Sequence, residues 1–289
     1  MKEKVYDYII YPANLLGCVY SVNIAEKGAS VLLLNNYGFA GGDLTHSLCS
    51  YQKIFDNQLS GIIEKIYQNI ISSKNSVFYK NQDDLVLNPE TIKIVLQEIL
   101  EESKIDLLFH VFPIGISKED DFINIQLSAR EGTIIRKAKR IIDTSENYTL
   151  MKFAGLKKKL TKCSFNLFLC KSSSVKSDNY DKIVLHKSVN KSVKLDDSRF
   201  WISLNVPFPE NELFVENISQ KLLNEFEMFA LENGGRVQLV APQTFRKYQV
   251  ENSELNSELV SHPKVNLIKN FNEDEIFLEA NYYEKELNL

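Results

Sequence analysis

Glycine is scarce in this chain, at 11 of 289 residues, where average usage of about 7% would supply roughly 20. Loops that cradle phosphates consume glycine, so the shortage bears on any nucleotide site. Cysteine is sparse too. Cys18, Cys49, Cys163 and Cys170 lack the spacing of a zinc site, and with no export signal they are expected to be free thiols. The four histidines, His46, His110, His186 and His262, are scattered and form no metal or nucleophile–base signature. No apolar run approaches the roughly 18 residues of a membrane helix. The opening "MKEKVYDYIIY" has charges and a short apolar run but no signal-peptide core, so a cytoplasmic protein without membrane contact is expected. Basic charge is not in excess either. Lys and Arg total 34 against 38 Asp and Glu, a net charge of −4, which argues against a nucleic-acid binder. The densest basic stretch, "KKKLTK" at 157–162, reads as a solvated helix end or loop.

What is present is enough for a sizeable core. Hydrophobic residues make up 44% of the chain, as in ordinary globular proteins, and the length suits one large or two moderate domains. Residues 6–11 form a mainly aromatic and aliphatic run of strand length, suited to burial on both faces. Pro12-Ala13-Asn14 makes a turn. Residues 15–27 read as a helix ended by Gly28, and "SVLLL" at 30–34 as a second buried strand. A parallel strand–helix–strand unit of this kind is right-handed in about 98% of cases. The loop "NNYGFAGGD" follows, with Gly38, Gly41 and Gly42.

Residues 59–72 and 89–102 have the periodicity of amphipathic helices. Asn88 is placed to cap the second, with Glu90 at the positive end of its dipole. A strand over 105–111 comes next, then a β-hairpin turning at Glu131-Gly132 and running into a buried strand at 140–143. Composition shifts near residue 156. Strands are expected at 163–170, 183–186, 200–206 and 236–240, an exposed loop at 172–181, and a helix at 216–232. These suggest an additional α+β layer. The tail beyond Val250 is polar and Asn/Glu-rich, with short strand-like pieces at 265–268 and 276–280.

Three of these segments together resemble the FAD-dependent oxidoreductases of the glutathione-reductase-like type. "YDYIIYPANLLGCVYSVNIAEKGASVLLLNNYGFAGGDLT" has the layout of that family's opening strand, glycine turn, helix, second strand and glycine loop. "NPETIKIVLQEILEESKIDLLFHV" is similar to the helix and strand ahead of its β-meander. "GTIIRKAKRIIDTSENYTLMKFAG" is similar to the return to the nucleotide sheet. The resemblance covers roughly residues 5–155. It implies an α/β fold: a Rossmann-like FAD/NAD(P)-binding parallel sheet with a β-meander, plus a smaller α+β region. The expected division is 1–155 for the nucleotide-binding-like domain, 156–240 for a second α+β domain, and 241–289 for a carboxyl-terminal segment that returns to the first.

The same resemblance shows where the motif departs. In a GxGxxG turn the first glycine makes the bend, the second admits the pyrophosphate, and the third lets helix pack on strand. Those places hold Pro12, Asn14 and Gly17. Pro12 has a fixed φ and no N–H. Asn14 puts a side chain where phosphate oxygens would sit. The acid that would hold the ribose is Asn35, whose amide lacks charge assistance. Gly41 and Gly42 would line the cofactor or simply meet the needs of a tight loop. Thr45 and His46, just after them, would face the crevice or start a helix. The family's Thr-Gly-Asp-Gly turn corresponds to Ser145-Glu146-Asn147-Tyr148, which places an acid toward a diphosphate. Cys49 reads as a packing thiol rather than a redox one, Asp143 as a turn or cap residue, and Trp201 as core or domain interface.

Three readings follow from the resemblance. One is a flavoprotein-fold relative in which FAD binding is weak or lost, acting as a binding or partner subunit. The second is an active FAD-dependent oxidoreductase with a divergent site. The third is a binder of another small ligand in the same crevice. The expected partner is accordingly a small molecule or another protein chain.

Overall fold

The computed structural model describes residues 4–55, 58–172, 179–209, 211–251, 258–265 and 271–287. The first half contains β1 (Val5–Tyr11), α1 (Leu15–Glu26), β2 (Val31–Leu34), β3 (Tyr51–Lys53), α2 (Gly61–Ser72), β4 (Val77–Lys80), β5 (Asp84–Leu87), α3 (Pro89–Glu102), β6 (Asp106–Leu108), β7 (Phe112–Glu119), β8 (Phe122–Ala129) and β9 (Gly132–Asp143). The second contains β10 (Lys158–Lys171), β11 (Val189–Asp196), β12 (Arg199–Asn205), α4 (Val215–Glu232), β13 (Gly235–Val240), β14 (Phe245–Val250) and α5 (Ile276–Lys285).

The main sheet has the order β6-β2-β1-β9-β8-β7. β1 lies parallel to both β2 and β9, and β2 parallel to β6. β7, β8 and β9 run antiparallel as the meander. The fold is therefore the α/β arrangement that the sequence predicts. α1 is buried at nine of its twelve positions, so it is apolar nearly all round, as a helix covered on every side must be. Its carboxyl end turns at Gly28, whose φ of +90° is a left-handed conformation natural to glycine. α3 begins as expected: Asn88 accepts from the Glu90 N–H at 3.0 Å and Pro89 occupies the first turn.

One core lies between this sheet and the helices, where Ile10, Leu33 and Ile142 meet Val19, Ile66, Leu96 and Phe277. A second covers the other face through Ile9, Leu34, Ile125, Ile141 and Leu150. The third joins α4 to a five-stranded antiparallel sheet of order β11-β12-β10-β13, in which β14 also pairs with β10. Trp201 belongs to this core. It stacks on Tyr51 with ring centroids 5.7 Å apart and donates through Nε1 to the Leu48 carbonyl at 3.0 Å. The small sheet β3-β5-β4 thereby contributes Tyr51 and Val86 to the core of the later strands.

Several local expectations are corrected. Residues 183–185 lie in a 3-10 helix, Tyr180–Leu185, with His186 as its extended C-cap, not in a strand. The strand-like piece at 276–280 is the first half of α5, whose buried Phe277, Ala280, Asn281 and Tyr283 have helical spacing. Of the other tail piece, Val265 lies in a turn and residues 266–268 fall outside the described residues. The basic stretch at 157–162 leads into β10 rather than a loop or helix end. The strand expected at 105–111 stops at Leu108, because the chain turns through His110 at φ +59° before starting β7. Of the expected loop at 172–181, residues 173–178 fall outside the described residues. Among the described residues no helix is long and apolar enough to cross a membrane.

Candidate functional site

The crevice lies at the carboxyl ends of β1 and β9, where open α/β sheets generally bind ligands. Its centre is the turn between β1 and α1. Asn14 is 8% exposed and engaged at both ends of its amide. Oδ1 accepts from the Gly17 N–H at 2.8 Å, and Nδ2 donates to the Thr144 carbonyl at 2.7 Å. The α1 amino terminus is thus capped by the residue that precedes it. The glycine loop closes over this cap. Gly41 N donates to the Ala13 carbonyl at 2.8 Å. A Cβ at Gly42, whose φ is +56°, would lie 2.4 Å from the Asn14 Cβ. Gly17 has the packing role expected of it: a Cβ there would lie 2.1 Å from the Pro12 carbonyl oxygen.

The other anticipated residues divide into two groups. Pro12, Asn14, Gly42, Ser145 and Asn147 line one cavity, and Asn14 and Gly41 another beside it. Asn35 and Thr45 line neither. Asn35 is fully buried, and its Nδ2 donates to the Phe39 carbonyl at 2.6 Å, holding the loop rather than facing a ribose. Asn36 lines the cavity in its place. The Thr45 hydroxyl closes its own turn onto the carbonyls of Ala40 and Gly42 at 3.1 and 3.2 Å. Ser145 donates through Oγ to Asp143 at 2.5 Å and receives the Thr149 N–H at 2.7 Å. Asp143 also accepts from the N–H groups of Leu150 and Met151 at 2.7 and 3.0 Å, so it organises the turn after β9. Burial pushes its pKa up to about 6 against these hydrogen bonds. The Asn147 side chain accepts from the Thr149 hydroxyl, and its carbonyl from Lys158.

The tail supplies further groups that no sequence pattern marks. Ser261 bridges to Ile142 beside the end of β9. His262 packs on Tyr148 at 4.5 Å between ring centroids, and its Nε2 lies 3.1 Å from the Ser145 carbonyl. Burial pushes the His262 pKa down to about 3, so the ring is neutral. Lys264 Nζ then reaches Glu146 at 2.5 Å and Glu279, on α5, at 2.7 Å. Burial opposes the Lys264 charge, but the two carboxylates outweigh it and its pKa is raised. Burial also pushes Glu279 up to about 7. Asp43 rises to about 7, through burial first and repulsion from Glu146 next. Asp43, His46, Arg246, Lys264 and Glu279 join the site from four separate parts of the chain. His46 was anticipated near the crevice; no local pattern marks the other four.

The two cavities hold about 50 and 70 Å³ and share Asn14, Asp43 and Glu146 as walls. Pockets for bound cofactors run to about 300–1,000 Å³. A diphosphate placed here would meet the Asn14 side chain, the folded glycine loop and carboxylates, so the residues present do not fit an FAD in the standard pose. Among the described residues no group of three or more His, Cys, Asp or Glu is arranged to hold a metal. Cys18 and Cys49 are buried free thiols. Burial raises both pKa values, Cys18 to about 12, which makes them inert packing groups rather than nucleophiles.

Comparison with known proteins gives a family and a set of neighbours. The sequence profile of the FAD dependent oxidoreductases matches residues 7–245. No curated protein sequence matches the chain. Among solved structures it is similar to p-nitrophenol 4-monooxygenase from Pseudomonas putida DLL-E4, with a TM-score of 0.61 at 12% identity over 98% of this chain and 79% of that one. It is also similar to a geranylgeranyl bacteriochlorophyll reductase-like protein from Thermoplasma acidophilum, with a TM-score of 0.60 at 11% identity over 98% and 78%. A third is aklavinone-11 hydroxylase, solved with FAD and aklavinone, with a TM-score of 0.57 at 11% identity; the match covers 91% of this chain and 57% of that one. At these identities the likeness is one of fold. Two of these three neighbours are a monooxygenase and a hydroxylase, so the likeness is not specifically to glutathione reductases.

Proposed function

The chain belongs to the FAD dependent oxidoreductase family, and we propose that it is a member in which FAD binding in the standard manner is weak or lost, so that it acts as a binding or partner subunit. The observation that carries this reading is the double engagement of the Asn14 side chain, with Gly17 on one side and Thr144 on the other. A dinucleotide-binding turn offers the N–H groups at the start of its helix to the pyrophosphate. Here Asn14 itself takes the Gly17 N–H, and Gly42 packs on the cap. Glu146 and Asp43 add negative charge where an anion would have to enter.

An active FAD-dependent oxidoreductase is the second reading, favoured by the family match across residues 7–245. Reconstitution decides between them. The purified chain is incubated with excess FAD, desalted, and its visible absorbance recorded. The first reading expects a colourless protein. Stoichiometric flavin would overturn the first and leave the second in its place.

A further inference from the structure

The larger of the two crevice cavities, about 70 Å³, contains groups that the fold leaves unmatched. His46 lines it, is 6% exposed, and its Nε2 has no hydrogen-bond partner among the described residues. The ring is held by Tyr37 and Phe39 at centroid distances of 3.8 and 4.9 Å. It is hydrogen-bonded to the Phe39 backbone, and burial pushes its pKa down to about 4. A neutral ring protonated at its other nitrogen presents Nε2 as a lone-pair acceptor. Arg246 lines the same cavity. Its terminal nitrogen donates to Glu216 at 2.7 Å, while its Nε–H is buried and unmatched. Asp43 is the third wall. Its carboxylate accepts from Ser47 Oγ at 2.8 Å and makes no ion pair among the described residues. Glu146 stands beside it, paired with Lys264.

This set has a definite complement. A carboxylate and a lone pair accept hydrogen bonds from an ammonium, and one guanidinium N–H asks for an oxygen. We propose that the cavity walled by Asp43, His46, Glu146 and Arg246 binds a small primary amine that also carries an oxygen acceptor, in the crevice where other chains of this fold hold a dinucleotide. The inference rests on the reading that this crevice is closed to FAD. Lys264 illustrates the same chemistry within the chain, since its own ammonium is held between the Glu146 and Glu279 carboxylates. An ammonium beside Asp43 would supply the charge partner that the carboxylate lacks, and leaving a buried charge unpaired is costly.

Ethanolamine, glycine, ethylamine and acetate are titrated calorimetrically into the purified full chain at about pH 8, where Asp43 is ionised. Saturable binding of ethanolamine or glycine is expected, at least about tenfold tighter than ethylamine or acetate. The stronger of the two tells whether the oxygen is a hydroxyl or a carboxylate. Asp43→Asn weakens that ligand by at least about tenfold. Arg246→Lys keeps the positive charge, removes the Nε–H, and brings the ligand down to the level of ethylamine; it decides the matter if Asp43→Asn does not fold. No saturable heat with either bifunctional amine, or equal binding of ethylamine, overturns the proposal. Visible absorbance of the same preparation separates the two failures. A colourless protein that binds no amine defeats this inference alone, whereas stoichiometric flavin defeats the reading on which it rests.

Discussion

Lys264 and Glu146 are 118 residues apart in sequence, and their side chains meet at 2.5 Å behind the crevice wall that Glu146 forms. With Glu279 at 2.7 Å on the other side of the ammonium, the pair joins the turn after β9 to helix α5. The Lys264 side chain is only 8% exposed, so its ammonium depends on the two carboxylates rather than on water.

Removing the cation should therefore be costly. Lys264→Met leaves Glu146 and Glu279 facing one another with no counter-charge, and breaking a buried pair in this way costs about 3–5 kcal/mol. Urea unfolding monitored by circular dichroism measures it. A loss below about 1 kcal/mol would mean that the cluster behaves as a surface pair.

The cluster also sets a pH dependence whose sign can be worked out. Asp43 and Glu279 are raised to about 7, and Asp143 to about 6. Each binds more protons in the folded state than in the unfolded one between an unfolded value of about 4 and its folded value. Stability from these groups is therefore lost as pH rises toward neutrality. His46 and His262 are depressed to about 4 and 3; they act oppositely, losing stability as pH falls below about 6.5. Above about pH 6.5 the carboxylates dominate, so Tm should rise on going from pH 8 to 6.5 and rise less steeply below, where the two histidines offset part of the three carboxylates. Asp43→Asn should flatten the rise. A Tm that falls over that interval contradicts the assignment.

Gly17→Ala tests the packing at the turn. Its Cβ would sit 2.1 Å from the Pro12 carbonyl and 2.9 Å from Thr144 Oγ1, so backbone must shift. Overpacking of this kind costs about 1–3 kcal/mol. Thermal unfolding should show it, and an unchanged Tm would mean that the turn is looser than its contacts indicate.

Pro12→Gly with Asn14→Gly opens the same turn from the other direction. The double variant loses the Asn14 cap, at a cost of only about a few tenths of a kcal/mol because glycine is itself tolerated at an N-cap. It should gain little FAD affinity, because Lys264, Glu146 and Glu279 still occupy the neighbouring space. Fluorescence titration with FAD checks this. A strong gain would place the obstruction at Pro12 and Asn14 alone.

Where the physics is local, the sequence is readable. The largely apolar β1, the turn, the mostly buried α1 and "SVLLL" of β2 specify the parallel core, because burial on both faces leaves a nearly continuous apolar run. Asn88 and Pro89 mark the start of α3 for an equally local reason. Gly17 is legible because close helix–strand packing requires a glycine there. Asn35 misleads: its position in the motif points to a ribose, but its amide is spent on Phe39 four residues later. The strands β11 and β14 and the small sheet are half-exposed or very short and carry little periodicity. The tail is the least legible part. The short stretch at 276–280, four apolar residues around Glu279, suits strand and helix alike, and nothing near Lys264 announces that its partners lie on β9's turn and on α5.

The central claim is that protein atoms fill the place of the pyrophosphate, and the most direct measurement of it is the flavin content of the chain. The protein is purified, incubated with excess FAD, desalted and scanned in the visible. The account predicts no flavin band above the unbound background, and none after addition of FAD to the Lys264-intact protein at neutral pH. A yellow protein with one flavin per chain would contradict it.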